Sequence, residues 1–159
     1  DLFATAADIV GAKVPDDAGE DSVSMLPAME GKADTPLREA AVHHSIRGAF
    51  SIRKDHWKLE LCPGSGGWSF PKPGKDDLSD LPAIQLYDLN ADVGEQKNVQ
   101  AEHPEVVKEL TELLQSYADR GRSTPGKPQQ NTGEVDLFKA GKSAQAMKKP
   151  AKKSPKKKP

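Results

Sequence analysis

Cysteine is nearly absent from this 159-residue chain. The single Cys62 excludes an internal disulfide and a cysteine-based zinc cluster. A lone thiol beside Pro63 reads more readily as a small buried hydrophobe than as a nucleophile. Aromatic residues are scarce at 5%, the apolar fraction is only 35%, and mean hydropathy is −0.69. A large apolar core is therefore excluded, and part of the chain is expected to be disordered. No run approaches the ~18 apolar residues that a membrane-spanning helix needs. Asp1–Ala4 offers neither the basic nor the apolar region of a signal peptide. After Phe138 acidic residues disappear altogether, while nine lysines follow. The other fourteen basic residues face 24 acidic ones, so residues 1–138 carry a net charge of −10. The overall net of −1 averages an acidic body and a basic tail.

What is present is a succession of short patterned segments. Asp1 stands where it can cap a helix, and Leu2, Phe3, Ala6, Ile9 and Val10 share one helical stripe that Gly11 can end. A helix opening at the first residue implies that the sequence continues a longer one. Residues 12–38 are irregular, apart from a possible helical turn at Ser24–Met29 capped by Ser24. From Ala40 the period becomes two. Val42, His44 and Ile46 alternate with Ala41, His43 and Ser45; Phe50 and Ile52 alternate with Ser51 and Arg53; Trp57, Leu59 and Leu61 alternate with Lys58, Glu60 and Cys62. This predicts a hairpin with one apolar face. A Gly/Pro-rich loop follows at residues 63–82, and Ile84–Leu89 reads as another strand. Pro104 opens the strongest helix, with Val106, Leu110, Leu113 and Tyr117 stacked at helical spacing, widened by Val107 and Leu114, up to Arg120 and Gly121.

The expected fold class is therefore α+β: a small antiparallel sheet of three to four strands packed on one C-terminal helix. Residues 39–121 form this unit, and residues 122–159 are assigned to a disordered Lys/Pro-rich tail.

The wording of these segments resembles the C-terminal part of the type I sulfatase (arylsulfatase) family. Asp1-Leu2-Phe3-Ala4-Thr5 is similar to its D-L-[FY]-P-T segment, with Ala4 in place of Pro. Asp21–Pro27 through Gly31 is similar to D-G-[VI]-S-L-L-P-L-L-x-G. Ser51–Leu59 resembles A-I-R-x-G-x-W-K-L, and Leu86–Glu95 with Asn98 resembles L-Y-D-L-x-x-D-P-x-E-x-x-N-L, with Val93 in place of Pro and Val99 in place of Leu. The resemblance spans about residues 1–121 and leaves the tail out. It implies that residues 1–38 are the end of a larger α/β domain, including its last helix, plus a connector. It also implies hydrolysis of aryl or carbohydrate sulfate esters by a cysteine-derived formylglycine in a C-x-[PA]-x-R motif, beside a calcium ion. Both are expected upstream, leaving this part without catalytic or metal-binding residues and inactive alone. Cys62-Pro63-Gly64-Ser65-Gly66 is not that motif, because Gly66 stands where Arg is required. An exported, periplasmic or extracellular, location is a further implication.

Candidate substrate-binding residues are His43, His44, Ser65 and Trp68. Either histidine can be a satisfied structural residue, or can donate a hydrogen bond to an oxyanion near neutral pH. By alternation at most one packs in the core. In Gly64–Trp68 the glycines admit an anion to backbone N–H groups, Ser65 adds a hydroxyl and Trp68 a flat face for a sugar or aryl ring; the alternative is a flexible surface loop. Arg47, Arg53 and Lys58 read as solvated strand-face charges rather than sulfate ligands, with a packing role also open to the Lys58 stem. Asp88-x-Asn90-x-Asp92 begins like a calcium loop, but Val93 and Val99 occupy the positions that need Gly and Glu. The expected partner of the body is a sulfate-ester substrate held with the upstream catalytic domain. The alternative function is a non-enzymatic module whose lysine-rich tail binds nucleic acid or another polyanion by counterion release.

Overall fold

The structure is a computed structural model that describes residues 1–138. Three helices and four strands follow in the order α1 (Leu2–Ile9), α2 (Leu26–Met29), β1 (Ala41–His44), β2 (Phe50–Lys54), β3 (Trp57–Glu60), β4 (Gln85–Asp88) and α3 (Pro104–Arg120). The strands form one antiparallel meander in the order β1-β2-β3-β4. The expected α+β unit is thus present, with four strands.

The register explains the core. Val42 pairs with Ile52, Ile52 with Leu59, and Leu59 with Leu86. Successive residues of a strand point to opposite faces, so this row lies on one side. Ile52, Leu59 and Leu86 are fully buried there, and α3 covers them with Leu110, Leu114 and Tyr117. Burying each such side chain stabilises the fold by about 1.5–3 kcal/mol. The helix begins and ends where Pro104 and Gly121 predict. Gly121 takes φ +64°, and a Cβ there would collide with the Gln129 carbonyl.

The outer edge of β4 is covered by a segment of the chain itself. Leu86 N–H donates to Asn98 Oδ1 at 3.0 Å, and Val99 N–H donates to the Leu86 carbonyl at 2.9 Å. This blunts an edge that would otherwise invite pairing with another strand.

Two expectations change. Residues 122–138 are packed on the body rather than belonging to a disordered tail. Arg122 is 6% exposed, and its guanidinium donates to the carbonyls of Thr124, Asp16 and Lys127. Ser123 donates to Asp21 through both its N–H and its hydroxyl. Leu137 is 3% exposed within the core cluster. The segment lacks periodicity because it is held by side chain-to-carbonyl bonds and one inserted leucine, not by regular structure. The lysine-rich stretch 139–159, with its polyanion reading, lies outside the described residues.

The second change concerns the N-terminal helix. Its stripe residues Leu2, Phe3, Ile9 and Val10 are 86%, 53%, 63% and 75% exposed. Asp1 occupies the N-cap position, but its carboxylate accepts Val23 N–H and pairs with Arg38 instead of capping. Thr5 is the buried residue of α1, bonded to the Asp1 carbonyl and to Met25 N–H.

Candidate functional site

The site is built by two tight hairpins and one loop. β1 ends at His44, where Ser45 N–H donates to the Ala49 carbonyl at 2.9 Å. Ser45 Oγ accepts from the Arg47 and Ala49 N–H groups, and Gly48 takes φ +76° to close the turn. This turn places His44 opposite Phe50 and His43 opposite Ser51. The second turn, at Asp55-His56, places Ser51 opposite Glu60. On the face away from α3, His43, Ser51, Glu60 and Gln85 therefore form a polar row in register with the apolar row on the other side.

The loop after β3 folds back onto this row. Gln85 Nε2 donates to the carbonyls of Cys62 and Gly64, each at 2.8 Å. Gly66, with φ +61°, presses on the first turn, and a Cβ there would lie 2.8 Å from Cys62 Sγ and 3.3 Å from Ala49 Cβ. The loop base and the β1–β2 turn together enclose a depression of about 190 Å³. His43, His44, Ser51, Glu60, Cys62 and Ser65 contribute to its lining.

Three of the four residues selected from the sequence meet here. Neither histidine packs in the core. β1 is an edge strand, and at its end both rings are exposed. His44 stands edge-on to Phe50, with ring centroids 4.4 Å apart. Among the described residues, no hydrogen bond engages the His43 ring or the Ser51 hydroxyl. Ser65 is less free, since its hydroxyl donates to the Ser69 carbonyl at 2.7 Å and accepts from Gly67 N–H. Trp68 does not line the depression; it stands on the same loop, 74% exposed, near Phe70 at 84%.

Cys62 is buried, and desolvation, aided by Glu60, pushes its thiol up to about 11. It is neutral at physiological pH and unsuited to nucleophilic work. Together with the missing Arg, this makes it no fit for a formylglycine precursor. Among the described residues, no group of three or more His, Cys, Asp or Glu side chains is placed to hold a metal ion. In the Asp88–Asp92 turn, Asp88 Oδ1 accepts from the Asn90 and Ala91 N–H groups, and Asp92 Oδ2 from those of Gln96 and Lys97. One oxygen of each carboxylate that resembled a calcium loop thus serves backbone donors of the turn.

The strand-face charges divide. Arg53 is exposed, with Nε on the Asp55 carbonyl. Lys58 is not a solvated charge. Its ammonium lies 2.9 Å from Glu60 and 2.7 Å from Glu95. Burial opposes its charge, but the hydrogen bonds to Glu95 and Glu60 outweigh that and raise its pKa.

No family model matches the chain. A curated relative, N-acetylgalactosamine-6-O-sulfatase of Bacteroides thetaiotaomicron, is 37% identical over 123 residues. The chain is homologous to sulfatases. The match covers 76% of this chain and 23% of that sulfatase, and corresponds to the C-terminal portion of the larger protein. Two solved structures agree. One comes from work on the metabolism of multiple glycosaminoglycans by Bacteroides thetaiotaomicron; it is 36% identical with a TM-score of 0.57, over 73% of this chain and 24% of that one. The other was solved with its substrate, D-glucosamine-2-N,6-O-disulfate; it is 26% identical with a TM-score of 0.52, over 79% of this chain and 25% of that one. The chain spans about a quarter of the length of these sulfatases. Among the described residues, no helix is long and apolar enough to cross a membrane.

Sequence reasoning missed Ser51 and Glu60 as lining residues. The signal was available in the two-residue turn Asp55-His56. Such a turn sets the register of the hairpin, and so places Glu60 across from Ser51 and, through it, beside His43.

Proposed function

We propose that this chain is the C-terminal portion of a sulfatase that hydrolyses a carbohydrate sulfate ester, with its depression forming one wall of the substrate cleft. The observation that carries this reading is the meeting of His43, His44 and Ser65 in one depression, on a chain 37% identical to an N-acetylgalactosamine-6-O-sulfatase. The formylglycine nucleophile and the calcium ion belong to the part of the protein upstream of these residues, and the complete protein is exported. The imidazoles donate hydrogen bonds to the sulfated sugar, and Trp68 offers a stacking face beside it. The exposed α1 stripe supports the same reading, since a larger body would cover it.

The test is the full-length protein assayed on N-acetylgalactosamine 6-sulfate. His43→Ala and His44→Ala are expected to lower kcat/KM about tenfold each, and Trp68→Ala by about threefold to tenfold. Unchanged kinetics in all three variants would overturn the cleft-wall role. An upstream sequence without C-x-[PA]-x-R would overturn the enzymatic reading.

A further inference from the structure

The lining of the depression is unequal in charge. At one end stands His43, on the same face as Ser51 and Glu60, and its ring offers an N–H donor; the His44 ring turns to the other face, against Phe50. Along the same row, across one strand, stands Glu60. Directly opposed side chains on one face have Cβ atoms about 4.5–5.5 Å apart, so one small ligand can touch His43, Ser51 and Glu60 together. Glu60 is not fully neutralised. Lys58 lies 2.9 Å from Glu60 Oε1 and also contacts both oxygens of Glu95, at 2.8 and 2.7 Å. Two carboxylates therefore share one ammonium, and this cluster carries a net charge of −1. The Glu60 side chain remains 20% exposed.

A sulfate group is attracted to the imidazole end and repelled from the Glu60 end. A hydroxyl or an amide N–H suits a carboxylate, and the Ser51 hydroxyl between them can donate or accept. We propose that Ser51 and Glu60 are specificity-determining residues: they bind a neutral hydroxyl or N-acyl amide of the sulfated sugar and exclude a second sulfate. This rests on the sulfatase reading above and deepens it.

The experiment compares a monosulfated with a disulfated amino sugar on the full-length protein and on its Glu60→Gln and Ser51→Ala variants. Glu60→Gln keeps the shape of the side chain, and Lys58 retains Glu95. The variant is expected to reduce the preference for the monosulfated sugar about tenfold, chiefly by lowering KM for the disulfated one, because it removes the repulsion between the Glu60 carboxylate and a second sulfate. Ser51→Ala is expected to raise KM about threefold for both sugars, at nearly constant kcat. The same preference read as a ratio of Kd values by calorimetry decides the question if turnover is absent. An unchanged ratio in Glu60→Gln, with His43→Ala and His44→Ala still impaired, overturns this inference alone. A protein that neither hydrolyses nor binds either sugar overturns both this inference and the sulfatase reading.

Discussion

The two faces of the four-stranded sheet differ by a single residue of register and by everything chemical. One face carries Val42, Ile52, Leu59 and Leu86 in a row under α3. The next row on the opposite face carries His43, Ser51, Glu60 and Gln85. Apolar side chains on the first face are removed from water and hold the fold. Polar side chains on the second are only partly engaged by the protein, and a loop built on closely packed glycines shapes them into a depression. The pleat thus separates the buried apolar row from the polar row that is proposed to face substrate, so residues adjacent in sequence are expected to respond differently to change.

The largest effect is expected from the apolar row. Leu59→Ala should lower stability by about 2–5 kcal/mol, because it removes buried methyl groups and leaves a cavity against α3. Ser51→Ala, on the neighbouring strand but the other face, should stay within about 1 kcal/mol. Denaturant unfolding of the two variants measures the contrast, and equal losses would break it. Leu137→Ala comes next, at about 2–4 kcal/mol. It tests whether the helix-side core extends into residues 122–138, and an unchanged midpoint would remove that segment from the core.

A pH series sharpens the comparison, because it reads groups on both sides. Tyr87, on the polar face, and Tyr117, on α3, are both pushed up to about 12, chiefly by burial. Burial likewise pushes Cys62 up to about 11. The folded chain keeps these protons at pH values where the unfolded chain has released them. Their contribution is complete below about pH 9, the ordinary thiol value, and is lost as pH rises toward 12. Melting temperature should therefore fall steadily between pH 9 and 12. Tyr117→Phe, which removes the bond from the phenol to Glu39 at 3.1 Å, should cost about 1 kcal/mol at neutral pH. It should also soften the alkaline decline, and a parallel shift of the whole curve would argue against the Tyr117 assignment.

Much of this architecture was legible beforehand, for identifiable reasons. The helix at Pro104–Arg120 carries its start, its stop and its apolar stripe in its own residues. The strands alternate cleanly because each has one buried face. Of the four residues chosen from the sequence as substrate-binding candidates, His43, His44 and Ser65 line one depression, whereas Trp68 stands outside its lining. Ser51 and Glu60 were passed over because neither residue type is distinctive until register sets them beside a histidine. Residues 122–138 were misread because carbonyl acceptors from residues 16–20 leave no pattern in composition.

By itself, then, the sequence determined the elements, their apolar faces, the wording shared with sulfatases and the division between an acidic body and a lysine-rich end. Those properties are local: each follows from a handful of consecutive residues and their spacing. The tertiary structure decided which polar residues share a depression, that Lys58 is divided between Glu60 and Glu95, and that Arg122 and Leu137 anchor the segment after α3 to the body. Those properties depend on approaches between residues far apart in the chain, such as Arg122 and Asp16 or Lys58 and Glu95. Only the closing of the hairpins and the folding back of the loop bring such groups within hydrogen-bonding distance.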